Sequence, residues 1–158
     1  MRVEYINPFV ESAFGVLKEV LSSGAKRGEV YLKPTSMAIQ GVAALVGLAG
    51  DVEGRVLFDM TKETALFVAG AMNNENFSTL DELAKATIQE LANMITAQAV
   101  TKLHELGFKF DLTPPALFTG DNMEVSTNLG EVEALIVPME LGSGFKIEVN
   151  VAIRERVK

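Results

Sequence analysis

The stretch Leu80–Gly107, LDELAKATIQELANMITAQAVTKLHELG, decides how the rest of the chain is read. Thr79, with Glu82 three residues later, has the spacing of a capping box, in which two side chains satisfy N–H groups at a helix start. The pattern predicts a helix from Leu80 to about Leu106. Gly107 closes it, because a residue without a Cβ takes the left-handed turn of a C-terminal cap. At about 1.5 Å per residue such a helix is roughly 40 Å long. With Glu90 set at zero and about 100° per residue, Leu80, Ala84, Ile88, Leu91 and Ile95 fall between about 80° and about 160°. That stripe is the face expected against a core.

Upstream, Asn7 and Pro8 read as an N-cap and first helical position. Phe9, Val10, Ala13, Phe14, Leu17, Val20 and Leu21 follow at helical spacing, and Ser22-Ser23-Gly24 ends that helix. Glu29 to Met60 fits two or three strands, with a turn at Asp51-Val52-Glu53-Gly54 and a last strand at Arg55 to Phe58. Thr61 is placed to cap a short helix over Lys62 to Met72, followed by the polar loop Asn73-Asn74-Glu75-Asn76. Downstream of Gly107, Thr113-Pro114-Pro115 forces an extended passage. Strands are expected over Met123 to Thr127, Glu131 to Pro138 and Phe145 to Ile153. In the last of these, Phe145, Ile147, Val149, Val151 and Ile153 share one face, and Lys146, Glu148, Asn150, Ala152 and Arg154 the other. Pro138 suggests a sheet edge or a bulge. Helices and strands cluster rather than alternate. The expected fold is therefore α+β, a two-layer arrangement of a mostly antiparallel sheet packed against long helices.

The chain has 158 residues, a natural length for one domain spanning 1–158, and 48% of them are hydrophobic. It has no cysteine, which excludes disulfides and thiolate metal sites and fits a reducing compartment. Its one histidine, His104, cannot build a metal cage alone, so no bound cofactor is expected. At the end of the long helix that ring suits the negative end of the helix dipole. The net charge of −7, without a basic patch, argues against nucleic acid as a partner. The N-terminus lacks an apolar signal core, and the glycine-rich stretch Gly41 to Gly50 is about half a membrane span. A soluble, cytoplasmic protein is expected.

Glu90 and Asn93 stand off the apolar stripe as i, i+3 neighbours. On the same wheel Asn93 lies at about −60°, Ala86 at about −40° and Ala97 at about −20°. The small alanines leave the patch low enough for another protein's active site to approach. Such a pair suits hydrolysis of an acyl phosphate, which is already activated. A carboxamide can hold a water in line, and a carboxylate can pair with a cation in the partner's pocket. A second Glu-x-x-Asn, Glu4 and Asn7, precedes Pro8 and reads as a cap.

The stretch Asp81 to Gly120, with Glu90, Asn93 and Pro115 at their places, resembles the CheC/CheX/FliY family of chemotaxis phosphatases. Gly54 to Met72 resembles the same family's strand-then-helix segment. The resemblance implies a CheC/CheX-like fold and a phosphatase that removes the aspartyl phosphate of a CheY-like response regulator in chemotaxis. Asn93 would orient the attacking water and Glu90 would contact the receiver pocket. The Mg²⁺ required would sit on the phosphorylated response regulator. On the first helix Glu11 is followed by Phe14 where an asparagine would be needed, so one pair per chain resembles the CheX branch. Ala86 departs from the Asp or Ser usual in the family. The alternative is a non-catalytic receiver-binding module or a flagellar-switch-like scaffold. A homodimer is also expected: the strands at Glu131–Pro138 and Phe145–Ile153 would form a terminal hairpin whose open edge pairs with its copy. The resemblance points the same way.

Overall fold

The structure is a computed structural model that describes residues 3–22, 24–34, 37–125 and 133–156. In chain order the elements are α1 (Val3–Val20), β1 (Lys26–Arg27), β2 (Tyr31–Pro34), β3 (Met37–Ala38), β4 (Val42–Gly50), β5 (Val52–Met60) and α2 (Lys62–Asn73). There follow α3 (Glu82–Glu105), β6 (Phe110–Leu112), β7 (Ala116–Thr119), β8 (Glu124–Val125), β9 (Glu133–Gly142) and β10 (Phe145–Glu155). The fold is the expected α+β arrangement. One antiparallel sheet runs β1–β9–β10–β5–β4–β6, with β2 beside β1 on β9 and β7 beside β6 on β4. β3 and β8 form a separate two-stranded ribbon.

The helices share one face of the sheet. Tyr5, Phe9, Ala13 and Leu17 of α1, Val68 of α2, and Ile88, Leu91 and Ile95 of α3 meet Phe58, Val137, Val149 and Val151 in the main core. β10 alternates as its sequence predicts, with Ile147, Val149, Val151 and Ile153 facing this core. Its other face is also covered. Glu148, Asn150 and Ala152 are buried beside a smaller cluster of Ile39, Ala43, Leu57, Ala134 and Ile136.

Several local expectations are corrected. α1 begins at Val3, so Pro8 lies inside the helix and Asn7 is not its cap. The reason is tertiary. Tyr5 and Ile6 are buried, and the Tyr5 ring packs edge-on against Phe108 at 5.1 Å, which outweighs the backbone bond Pro8 cannot donate. The turn expected at residues 51–54 lies at Gly50–Asp51, and Val52 already pairs with Glu155. At Gly50, with φ +143°, a Cβ would come within 2.5 Å of the Phe110 Cα, so only glycine fits. The terminal hairpin has no open edge. β10 is flanked by β5, and the outer side of β9 is taken by β1 and β2. Pro138 accordingly sits inside the sheet, at the break between β1 and β2, where its carbonyl accepts the Gly28 N–H at 2.8 Å. Of the strand expected at residues 123–127, Glu124–Val125 is observed as β8, and Ser126 and Thr127 lie outside the described residues.

Candidate active site

α3 is held in place at both ends. Its N-cap is Asp81, not Thr79: the Asp81 carboxylate accepts the Ala84 N–H at 2.8 Å. At the far end Leu106 caps the helix, Gly107 turns with φ +96°, and the Phe108 N–H reaches the Leu103 carbonyl at 3.1 Å. The 24 residues of the helix bury Ala84, Ile88, Leu91, Ala92, Ile95, Ala99 and Leu103 on one side. Two inward threonines satisfy themselves locally, Thr87 on the Leu83 carbonyl and Thr96 on that of Ala92, each at 2.8 Å. The buried stripe expected for Ala84, Ile88, Leu91 and Ile95 is therefore present, with Leu80 just before the helix and half-buried.

Glu90 and Asn93 both face outward and are exposed, as are Ala86 and Ala97. Among the described residues no hydrogen bond or ion pair engages the Glu90 carboxylate or the Asn93 carboxamide. The lysines of α3 are turned elsewhere, Lys85 to Glu82 at 3.5 Å and Lys102 to Glu11 at 3.3 Å. A carboxylate and an amide one turn apart, both unengaged, present one acceptor-only group and one group that both donates and accepts. Neither residue lines the cleft of about 490 Å³ at the start of the helix, bounded by Gln40, Thr61, Leu80, Lys85 and Thr119. The pair stands on an open face.

Pro115 is brought beside them. Between the register pairs Leu48↔Leu112 and Leu45↔Ala116, three residues face two, so Thr113–Pro115 is a one-residue bulge in the edge of the sheet. Thr113 pins it to β4, its N–H on the Gly47 carbonyl at 3.0 Å and its hydroxyl accepting the Gly47 N–H at 2.8 Å. From the helix side the Gln89 amide donates to the Pro115 carbonyl at 3.2 Å. Gln89 is one residue from Glu90 and four from Asn93, so this bond fixes the proline passage as a wall next to the pair. Sequence reasoning missed Gln89, because nothing in the local pattern pairs it with a carbonyl so far along the chain.

The remaining polar residues singled out lie apart. His104 is exposed at the end of α3, its ring edge-on to Phe110 at 5.2 Å. Glu4 and Asn7 are exposed on α1, within the helix rather than capping it. On the face of the sheet away from α3, Asp59 and Glu148 are direct cross-strand partners and both are buried. Asp59 accepts the Gln40 backbone N–H at 2.9 Å and its side-chain amide at 3.2 Å; Glu148 accepts the Tyr31 hydroxyl at 3.0 Å and meets Lys146 at 3.5 Å. Burial pushes the Asp59 carboxyl up, against the Gln40 bonds that favour its charged form, and Glu148 adds to the rise. Burial and the bond to Glu148 push the Tyr31 phenol up to about 12. This layer clamps β2 and the Gln40 segment onto the sheet. Among the described residues no group of three or more His, Cys, Asp or Glu could hold a metal ion, and no helix is long and apolar enough to cross a membrane.

The family model described as chemotaxis phosphatase CheX matches residues 42–140, which hold Glu90, Asn93 and Pro115. The chain belongs to the CheX family. It is 30% identical over 128 residues to the CheY-P phosphatase CheX of Thermotoga maritima, covering 80% of this chain and 83% of that one. It is 45% identical, with a TM-score of 0.85, to a chain of the CheX–CheY–BeF3–Mg complex from Borrelia burgdorferi, covering 98% and 100% of the two chains. A CheC-like protein from Shewanella is 25% identical with a TM-score of 0.85, covering 98% of this chain and 99% of that one. The residues matched to the CheX family also include the Thr113–Pro115 bulge and the glutamine that latches it to α3.

Proposed function

We propose that the protein is a phosphatase of a phosphorylated CheY-like response regulator, and that Glu90 and Asn93 are its catalytic pair. The observation that carries this reading is an exposed, unengaged carboxylate and carboxamide one turn apart on a doubly anchored helix, in a chain of the CheX family. An aspartyl phosphate hydrolyses once a water stands in line with the P–O bond to the leaving carboxylate. The Asn93 amide can bond that water without taking its proton, and the Glu90 carboxylate can pair with a cation of the receiver's pocket. The Mg²⁺ belongs to the receiver, as part of the substrate. Positioning of this kind contributes about 3 kcal/mol, roughly a hundredfold in rate. The test is the decay of a phosphorylated CheY-like receiver with and without the protein. Acceleration that survives in both Glu90→Ala and Asn93→Ala removes the assignment. Docking without hydrolysis, which Ala86 favours, would give binding with no acceleration in the same assay.

The homodimer moves to a different edge. β2 lies at the margin of the sheet, and Val30, Tyr31 and Leu32 are 41%, 36% and 56% exposed there. The apolar stretch at residues 30–32, ahead of Lys33 and Pro34, is the part of this edge that can pair with its copy across a two-fold axis. α3 packs across one face of the sheet rather than along this margin, so each chain of such a dimer keeps Glu90 and Asn93 open to a receiver.

A further inference from the structure

We propose that Leu83 is the apolar anchor on which the phosphorylated receiver seats itself, setting affinity while Asn93 and Glu90 set the chemical step; this rests on the phosphatase reading above. Leu83 precedes Glu90 by seven residues, two turns of α3, so the two point within about 20° of each other and lie about 10 Å apart along the axis. It is 47% exposed, a large apolar side chain on a face otherwise made of Ala86, Glu90, Asn93 and Ala97.

The other exposed large apolar groups lie elsewhere among the described residues. Val30, Tyr31 and Leu32 belong to the β2 edge. Leu106 is the cap at the far end of α3. Phe118 pairs with Ala43, whose side chain belongs to the cluster on the opposite face of the sheet.

Geometry commits the occupant. A protein that brings its active-site pocket over Asn93 covers about 800 Å² of this one, a disc of roughly 16 Å radius. Leu83, ten residues from Asn93 and about 15 Å away along the axis, sits at the margin of that footprint, and the intervening Ala86 raises nothing to hold the partner off. The position is also rigid. The Leu83 carbonyl accepts the Thr87 hydroxyl at 2.8 Å, and that hydroxyl accepts the Asn73 amide from the end of α2 at 2.8 Å. A leucine on backbone held by these bonds has little further backbone freedom to lose on binding, which favours its use as an anchor. The receiver surface it fits carries an aliphatic side chain about 15 Å from the phosphorylated aspartate. Glu82, exposed at the rim and only loosely paired to Lys85, favours a cation beside that side chain.

The experiment compares the parent, Leu83→Ala, Leu83→Met and Asn93→Ala. Binding is measured to a CheY-like receiver loaded with beryllofluoride and Mg²⁺, and kcat and KM are measured on the acetyl-phosphate-phosphorylated receiver. Leu83→Ala is expected to raise Kd and KM about tenfold with kcat at saturation unchanged, and Leu83→Met to restore both. Asn93→Ala is expected to lose kcat and keep Kd. Alanine exceeds leucine in helix propensity, so the fold is not at risk. A Leu83→Ala Kd within about twofold of the parent overturns the anchor while leaving the phosphatase reading intact. A parent that neither binds nor dephosphorylates the receiver overturns both.

Discussion

An Asn93→Ala substitution removes an exposed carboxamide from the middle of α3 and puts the best helix former in its place. Nothing in the fold depends on that amide among the described residues. The Asn93 backbone carbonyl, which accepts the Thr96 hydroxyl at 3.2 Å, is kept. Helix propensity alone then stabilises the variant by about 0.6 kcal/mol. For a domain of this size that raises Tm by about 1–3 °C. Dephosphorylation of the receiver should move the other way and fall roughly a hundredfold, the share attributed to placing the water. The two effects have opposite sign, so misfolding cannot mimic the outcome. Thermal unfolding and single-turnover decay of the phosphorylated receiver read them separately. Asn150→Ala is the internal control: Asn150 is fully buried and its side-chain oxygen accepts the Arg55 guanidinium at 2.8 Å. Its loss removes an acceptor from a buried cation and should cost about 2–3 kcal/mol of stability. A fall of several degrees in Tm for Asn93→Ala, or activity kept within a few-fold, refutes the reasoning.

Gln89→Ala frees the Pro115 carbonyl and loosens the wall beside the pair. Dephosphorylation should drop several-fold, with at most about 1 kcal/mol lost in urea unfolding, and an unchanged rate would remove Gln89 from the site. Asp59 has a folded-state pKa raised above its ordinary 3.8, chiefly by burial, so the folded form holds the proton more tightly than the unfolded one. The stability it contributes is fully present below pH 3.8 and is lost as pH rises through the raised value. In Asp59→Asn that part of the pH dependence of the urea midpoint should disappear; a parallel profile for parent and variant contradicts it. Leu32→Lys places a charge on the exposed β2 edge and should shift the mass seen by light scattering from dimer to monomer. A parent that is already monomeric sinks that interface.

The long helix was legible because its signals are local: an apolar stripe at helical period and a glycine stop, with only the cap displaced from Thr79 to Asp81. Both are good capping types, and the sequence offers no way to rank them before the preceding loop is placed. The pairing of Glu90 with Asn93 was legible for the same reason, since i, i+3 geometry needs nothing outside the helix. What stayed hidden depends on distant partners. The burial of Glu148 and Asn150, on the strand face they share with Lys146 and Arg154, involves Tyr31, 117 residues away, and Arg55, 95 residues away, which bond to them. The supposed open edge of the last hairpin failed likewise, because two short strands from the first quarter of the chain cover it. Two-residue β1 carries too little pattern to announce itself.

β10 pairs with β5 along eight residues, from Glu148↔Asp59 to Glu155↔Val52, and is made after every other described element. During synthesis, therefore, β5 leaves the ribosome with β4 to pair on one side, long before its neighbour on the other side exists. The apolar flank of α3 meanwhile has half a sheet to lie on. Closing a loop of roughly a hundred residues is entropically expensive and makes such a topology slow to fold. Until it closes, the nascent chain bares both its unpaired β5 rim and the leucines and isoleucines of α3, which is the state a chaperone would bind.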